Sequence, residues 1–202
     1  MESEANDART RVLNLAERLF GERGYAAVTL RDIAGELGMR QASLYYHVPG
    51  GKEQLFVEVT ERGLLRHQAG LEAAIAAGAD LEARLKGAAR WLLSQPPVNI
   101  GRMVHSDMPA IGKEHADRLI DVSFQCLLLP LARELMAAEA RREISSQQPV
   151  LLAASFINII EGLWSAGGGR PVPVTNEEMA DELIRVLLDG MRPRPSKESG
   201  VE

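Results

Sequence analysis

The stretch TLRDIAGELGMRQASLYYH, residues 29–47, decides the fold. Leu30, Ile33, Ala34 and Leu37 recur at three- and four-residue steps, the spacing of one apolar helix face. Thr29 is an N-cap residue type, and Asp32 three residues on makes a weaker form of the capping box. Gly38 ends this helix. The next one spans about residues 40–47 and stops at Pro49-Gly50-Gly51. Two short helices joined by a tight glycine turn form a helix-turn-helix, whose second helix enters the DNA major groove. Its side chains suit that position. Gln41 can pair bidentately with adenine, and Arg40 with guanine or a phosphate. Ser43, Tyr45, Tyr46 and His47 supply donors for phosphate oxygens. Leu44 is the one aliphatic residue placed to dock this helix on its neighbour.

Working outward, Val12, Leu15, Ala16, Leu19 and Phe20 give a first helix one apolar stripe, and Gly24 offers its C-terminal cap. After the break, a longer helix starts near Gly51 or Lys52 and carries Leu55, Phe56, Val59, Leu64 and Leu65. Further helices are expected at about 81–93, 113–141, 149–165 and 176–191. The last opens on the full capping box Thr175-Asn-Glu-Glu178. A short segment around 103–108 and a loop over 166–174 lie between them. With no strand pattern, the fold class is all-α. A three-helix helix-turn-helix domain (1–51) precedes a larger helical bundle (52–191). A Pro- and Ser-rich tail (192–202) is expected to be disordered. Three short helices bury too little surface alone, so the first domain should pack on the helix beginning at Lys52.

The 202 residues are 46% apolar and 25% charged, with a net charge of −5, ordinary values for a globular protein. The charge is unevenly spread. From Arg9 to Lys52 there are seven basic and four acidic residues, a net +3, which leaves −8 for the rest. Cationic groups therefore gather where DNA would sit. The single cysteine, Cys126, excludes an internal disulfide and fits a reducing compartment. No apolar run approaches the roughly 18 residues of a membrane span, and the acidic N-terminus MESEANDARTR has no signal-peptide character. A cytoplasmic protein is expected.

The run RVLNLAERLFGERGYAAVTLRDIAGELGMRQASLYYHVPGGKEQLF resembles the N-terminal domain of TetR-type transcriptional repressors over roughly residues 9–57. The shared elements are Leu-Phe-x-x-x-Gly-Tyr, Thr-x-x-x-Ile-Ala-x-x-x-Gly, Ser-x-Tyr-Tyr-His and Lys-Glu-x-Leu, in that order. One departure is visible. Three residues, Pro49, Gly50 and Gly51, separate Val48 from Lys52, where the family pattern has two. Glycine absorbs an extra residue at little steric cost.

The resemblance implies that Thr29 and Arg31 touch phosphates. It places Arg40, Gln41, Ala42, Ser43, Tyr45, Tyr46 and His47 at the groove or its walls. Lys52 would meet a phosphate at a helix N-terminus. It also implies a homodimer on double-stranded DNA, paired through the last two long helices, with a small-molecule pocket in the remaining ones. Candidate lining residues are Trp91, Met103, His105, Met108, Phe124, Leu128, Phe156 and Trp164, with Asn158 and Glu161 as polar contacts.

Plainer readings stand beside these. One of Tyr45 and Tyr46 should pack inward, because adjacent helical residues point about 100° apart. His47 can cap its helix instead of touching DNA, and Lys52 can be plain solvated charge. About half of the pocket candidates should be ordinary core. Glu161, amid Ile and Leu, must be paired, at an interface or functional. His105, Asp107, Glu114 and His115 match no zinc spacing and should sit in a loop and at a helix start, so no metal or cofactor is expected. Gly167-Gly168-Gly169-Arg170 lacks the Gly-Lys-Ser/Thr of a phosphate loop and reads as a linker. The rival functions are a small helical enzyme or carrier using the same apolar pocket, and a dimeric scaffold that binds protein.

Overall fold

The computed structural model of the chain describes residues 2–145, 148–166 and 173–192, and every regular element among them is helical. Helix α1 (Glu2–Arg23) closes where the Gly24 N–H bonds the Phe20 carbonyl at 2.9 Å. At α2 (Leu30–Glu36) both halves of the capping box form. Thr29 Oγ1 accepts from the Asp32 N–H at 3.1 Å, and Asp32 Oδ2 accepts from the Thr29 N–H at 2.8 Å. The short Asp side chain completes the box that the sequence pattern only suggested.

Helix α2 ends in a Schellman motif. Met39 N–H bonds Ala34 O at 3.0 Å and Gly38 N–H bonds Gly35 O at 3.1 Å, with Gly38 at φ +65°. Glycine takes that left-handed conformation without a Cβ penalty. Arg40 then starts α3 (Gln41–His47). Gly51, at φ +72°, opens α4 (Gly51–Ala76) and bonds Val48 O at 3.0 Å. The residue added to the family pattern thus falls in a turn built on another left-handed glycine.

The described chain divides into two compact units, one made of the residues up to Ala69 with Pro96–Leu127, the other of Gly70–Gln95 with the residues from Leu128 on. The first unit contains α1, α2, α3 and the N-terminal part of α4. Its core joins Val12, Leu19, Phe20, Ile33 and Leu44 to Leu55, Phe56 and Val59. The three short helices therefore do bury their apolar faces against the start of α4. Phe20, Tyr25 and Phe56 form an aromatic cluster with ring centroids 5.0–6.2 Å apart.

Two stretches differ from the sequence expectation. Residues 103–108 are not a loop. Asn99, left-handed at φ +53°, caps α6 (Ile100–Arg102), which continues as a π-helical turn (Met103–Asp107) and a 3-10 turn (Met108–Ala110). His105 and Asp107 therefore lie on a helical turn. The expected single helix 113–141 is instead α7 (Lys113–Ser123), a π-helical turn (Phe124–Leu128) and α8 (Leu129–Ala140). Pro130 explains the wide turn. It has no N–H for the carbonyl of residue 126, and its ring needs the space that a π turn opens.

In the second unit, α5 (Leu81–Ser94) packs on α9 (Pro149–Ala166) and α10 (Asn176–Met191), and α9 also packs on α8. The α10 capping box is complete, with Thr175 Oγ1 accepting from Glu178 N–H at 3.1 Å. The glycines 167–169 and the tail beyond residue 192 lie outside the described residues.

Candidate nucleic-acid interface

Leu44 is fully buried and anchors α3 on α1 and α2. The rest of that short helix turns outward. Arg40, Gln41, Ala42, Ser43, Tyr45 and Tyr46 are exposed, and His47 is half-buried. Tyr46 is 80% exposed and Tyr45 48%. Neither tyrosine is therefore a packing residue, contrary to the expectation that one would be. The single aliphatic anchor is enough, because α3 has only two turns and Val48, buried just beyond it, fixes the far end. Two large apolar rings held in water cost free energy unless something covers them. The His47 ring stands edge-on to Tyr46 at 5.4 Å.

Ion pairing separates the cations of this unit into two sets. Arg9 pairs with Glu58, Arg11 with Asp7, Arg18 with Glu22 and Glu36, and Arg23 with Glu36. Arg31, Arg40 and Lys52 form no ion pair among the described residues. These three stand at the first turn of α2, the N-cap of α3 and the first turn of α4. The uncompensated positive charge is thus concentrated around α3, although sequence counting spread it over the whole domain. No sequence signal separates the two sets, because pairing depends on which acids the fold brings near.

Two expected phosphate contacts have other partners. The Thr29 hydroxyl donates to Asp32 Oδ2 at 2.7 Å, so its proton is used in the cap. That bond and the Thr29 N–H hold the Asp32 carboxyl below its ordinary value. Lys52 Nζ lies 4.1 Å from the centroid of the Tyr25 ring, a cation–π contact. Burial draws its ammonium below the ordinary lysine value, against the pull of Asp32.

Residues 12–59 match the family described as bacterial regulatory proteins, tetR family. The match runs from within α1 to the first turns of α4, so that part of the chain is of the tetR family. The HTH-type transcriptional regulator LmrA of Bacillus subtilis is 50% identical over 52 residues, 26% of this chain and 28% of LmrA. The HTH-type transcriptional repressor KstR2 of Rhodococcus jostii is 40% identical over 79 residues, 39% of this chain and 38% of KstR2. These matches therefore span well under half of the curated relatives, which are transcriptional regulators. Among solved structures, AibR in complex with isovaleryl coenzyme A and operator DNA has a TM-score of 0.72 at 21% identity, covering 88% of this chain and 96% of AibR. The ketosteroid transcriptional regulator KstR2 of Mycobacterium tuberculosis has a TM-score of 0.67 at 22% identity, covering 93% and 96%. At that identity the two structures establish the all-helical TetR fold.

The ten candidate pocket residues fall in both units. In the first unit Met103 and Met108 are buried in the core, while His105 and Phe124 are exposed. In the second, Phe156 is buried, Trp91, Leu128 and Glu161 are half-buried, and Asn158 and Trp164 are exposed. Asn158 Nδ2 donates to its own helix at Ala154 O, 2.8 Å. Met103 alone of the ten lines a cavity of about 690 Å³ in the first unit.

The residues around that cavity include two that sequence reasoning did not assign. Arg102 donates to the carbonyls of Phe20 at 3.1 Å and Gly21 at 2.6 Å, and its Nε faces Asp107 Oδ2 at 3.4 Å. Asp107, buried, also accepts from the Tyr25 N–H at 2.8 Å through Oδ1. Together they cap the C-terminus of α1 and hold the turn that leads towards α2. Glu53, next to Lys52, makes a second tie. Its Oε1 lies 2.6 Å from His115 Nδ1 and accepts from the Gly112 N–H at 2.8 Å, which holds its carboxyl below the ordinary value.

Proposed function

We propose that the chain is a ligand-responsive transcriptional regulator, acting as a repressor that leaves its operator when a small apolar molecule binds. Residues 1–51 read DNA and residues 52–191 carry ligand binding and dimerisation. The observation that carries this reading is the exposed α3, with two tyrosines in solvent and, around it, the cations Arg31, Arg40 and Lys52, which form no ion pair among the described residues. Gln41 and Arg40 meet base edges, Ala42 contacts a thymine methyl, and Ser43, Tyr45, Tyr46 and His47 meet the groove walls. Arg31 and Lys52 meet phosphates, and Thr29 shapes the helix end that presents them.

The chain works as a homodimer in the cytoplasm, on a pseudo-palindromic operator. Support comes from α9 and α10, where Leu151, Ile159, Leu183 and Val186 are large, apolar and exposed in the single chain. Two such helices bury that surface by pairing with their copies. AibR, which shares this fold, has been seen with both a thioester ligand and operator DNA, which fits a fold able to serve both roles. The test is a gel-shift titration on an operator selected from random duplexes. The double variant Gln41→Ala, Tyr46→Ala should lose specific binding while sedimenting as the same oligomer. Unchanged operator affinity would overturn the reading.

A further inference from the structure

A cleft of about 690 Å³ lies in the first unit, between the second half of α1, the first half of α4, and the segment from Pro96 to Asp107. It has the size of a small-molecule site. Its floor is apolar: Phe20, Phe56, Val59, Leu64 and Met103. Its charged groups are already compensated within the wall. Glu17 accepts from Arg62 at 2.6 Å and Arg66 at 2.5 Å. Burial pushes the Glu17 carboxyl up, but the bonds and charges of those two arginines outweigh it and hold it below the ordinary value. Arg102 is occupied by Asp107 and the α1 carbonyls, and Arg18 by Glu22 and Glu36. His67, 5% exposed, is drawn by burial to about 4 and stays neutral at pH 7. An ionic ligand would have to break one of these pairs or leave its own charge uncompensated. A neutral one need do neither.

We propose that this cleft binds an uncharged, mostly apolar small molecule, and that filling it acts on the reading head through α1. The proposal rests on the ligand-responsive reading above and adds the place and chemical class of a ligand. The route is short. The same wall carries Arg102 and Asp107, whose hydrogen bonds fix Phe20, Gly21 and Tyr25 at the end of α1. A molecule pressing on Met103 shifts the turn that holds both, and therefore the link into α2. Binding and DNA then compete as a population shift between two placements of the head.

The probes are N-phenyl-1-naphthylamine, which is neutral, and 8-anilino-1-naphthalenesulfonate, the same skeleton with a negative charge. Full-length protein should enhance the fluorescence of the neutral probe and bind it at least tenfold more tightly than the anionic one. Amide resonances of Gly21, Thr60 and Gly63, followed by NMR in the wild type, should move on titration. Thr60→Phe and Val98→Phe, which fill the cleft, should each weaken the neutral probe at least tenfold while retaining helical circular dichroism. Saturating probe should weaken operator binding at least fivefold in the wild type. Amide shifts confined to residues 70–95 and 128–192 would overturn this site while leaving a ligand-responsive regulator intact. Equal or tighter binding of the anionic probe would overturn the chemical class. Cleft binding with unchanged operator affinity would overturn the coupling. The amide map needs no variant, so misfolding of Thr60→Phe or Val98→Phe leaves the test decisive.

Discussion

Acidification from pH 7 to pH 5 should cost this protein about 2 kcal/mol of stability through His67 alone. The imidazole sits on α4 at 5% exposure, and burial, helped by the neighbouring charge of Arg66 and opposed by Glu17, lowers it from 6.5 to about 4. Between those two values the unfolded chain binds a proton that the folded chain refuses. Stability is therefore fully present above about pH 6.5 and falls as the pH is lowered towards 4. With those two pKa values, linkage gives about 2 kcal/mol lost at pH 5 and roughly 3 kcal/mol near pH 4. The assay is urea unfolding at pH 7 and pH 5, at one fixed protein concentration because a dimer adds mass action. Wild type and His67→Leu share every other titrating group, so the difference between their pH losses isolates His67. The variant should lose about 2 kcal/mol less than the wild type. Equal losses within about 0.5 kcal/mol, or a His67 ring resonance that titrates near 6.5, would refute the argument from burial.

Asp107→Ala should cost about 2–4 kcal/mol, because it removes the counter-charge of the partly buried Arg102 guanidinium and the acceptor of the Tyr25 N–H. Thermal unfolding would then show a fall in Tm of roughly 5–15 °C for a chain of this size, and a loss under 1 kcal/mol would mean that the tie is dispensable. Gly51→Ala places a Cβ at φ +72° and should cost about 1–2 kcal/mol in urea unfolding; an unaffected midpoint would contradict the left-handed joint. Lys52→Ala should weaken all operators alike and lower the salt slope by about 1, whereas an unchanged slope would mean that Tyr25 keeps the ammonium off the phosphate.

Most of the helical scaffold was legible from local pattern. The Thr29 and Thr175 caps, the turns at Gly24 and Gly38, and the Gly51 start are fixed by short-range stereochemistry, so one sequence suffices to find them. The anchor Leu44 was legible too, as the only aliphatic residue on α3. Most of what failed were features set by distant neighbours. The stretch around Met103 reads as a loop because its polar residues have no local helical stripe. It is helical because Arg102 finds partners on α1 and Asp107 finds one just beyond it at Tyr25, some 80 residues earlier in the chain. The break at Phe124–Leu128 follows from Pro130, a signal that the apolar periodicity on both sides masked. Sequence placed Arg9, Arg18, Arg31 and Arg40 in one basic set. Only the fold shows that the first two are neutralised by Glu58 and Glu36 while the last two are not. The cleft lining was hidden for the same reason, since it draws on α1, which pattern reading assigned wholly to the head.

We propose that α3 and the three cations around it, which form no ion pair among the described residues, grip DNA. The most direct measurement is the slope of log affinity against log salt on a selected operator, for wild type and for Arg31→Ala, Arg40→Ala, Lys52→Ala combined. Each phosphate contact contributes about 0.9 to that slope on duplex DNA. With Arg31 and Lys52 on phosphates and Arg40 on a base edge, the triple variant should lower the slope by about 1.8 per reading head, weaken binding at every salt concentration and relax specificity at one position. A fall near 2.7 would place Arg40 on a phosphate as well. A slope equal to the wild type's, or the failure of any duplex to be enriched by the wild-type protein, would contradict the claim.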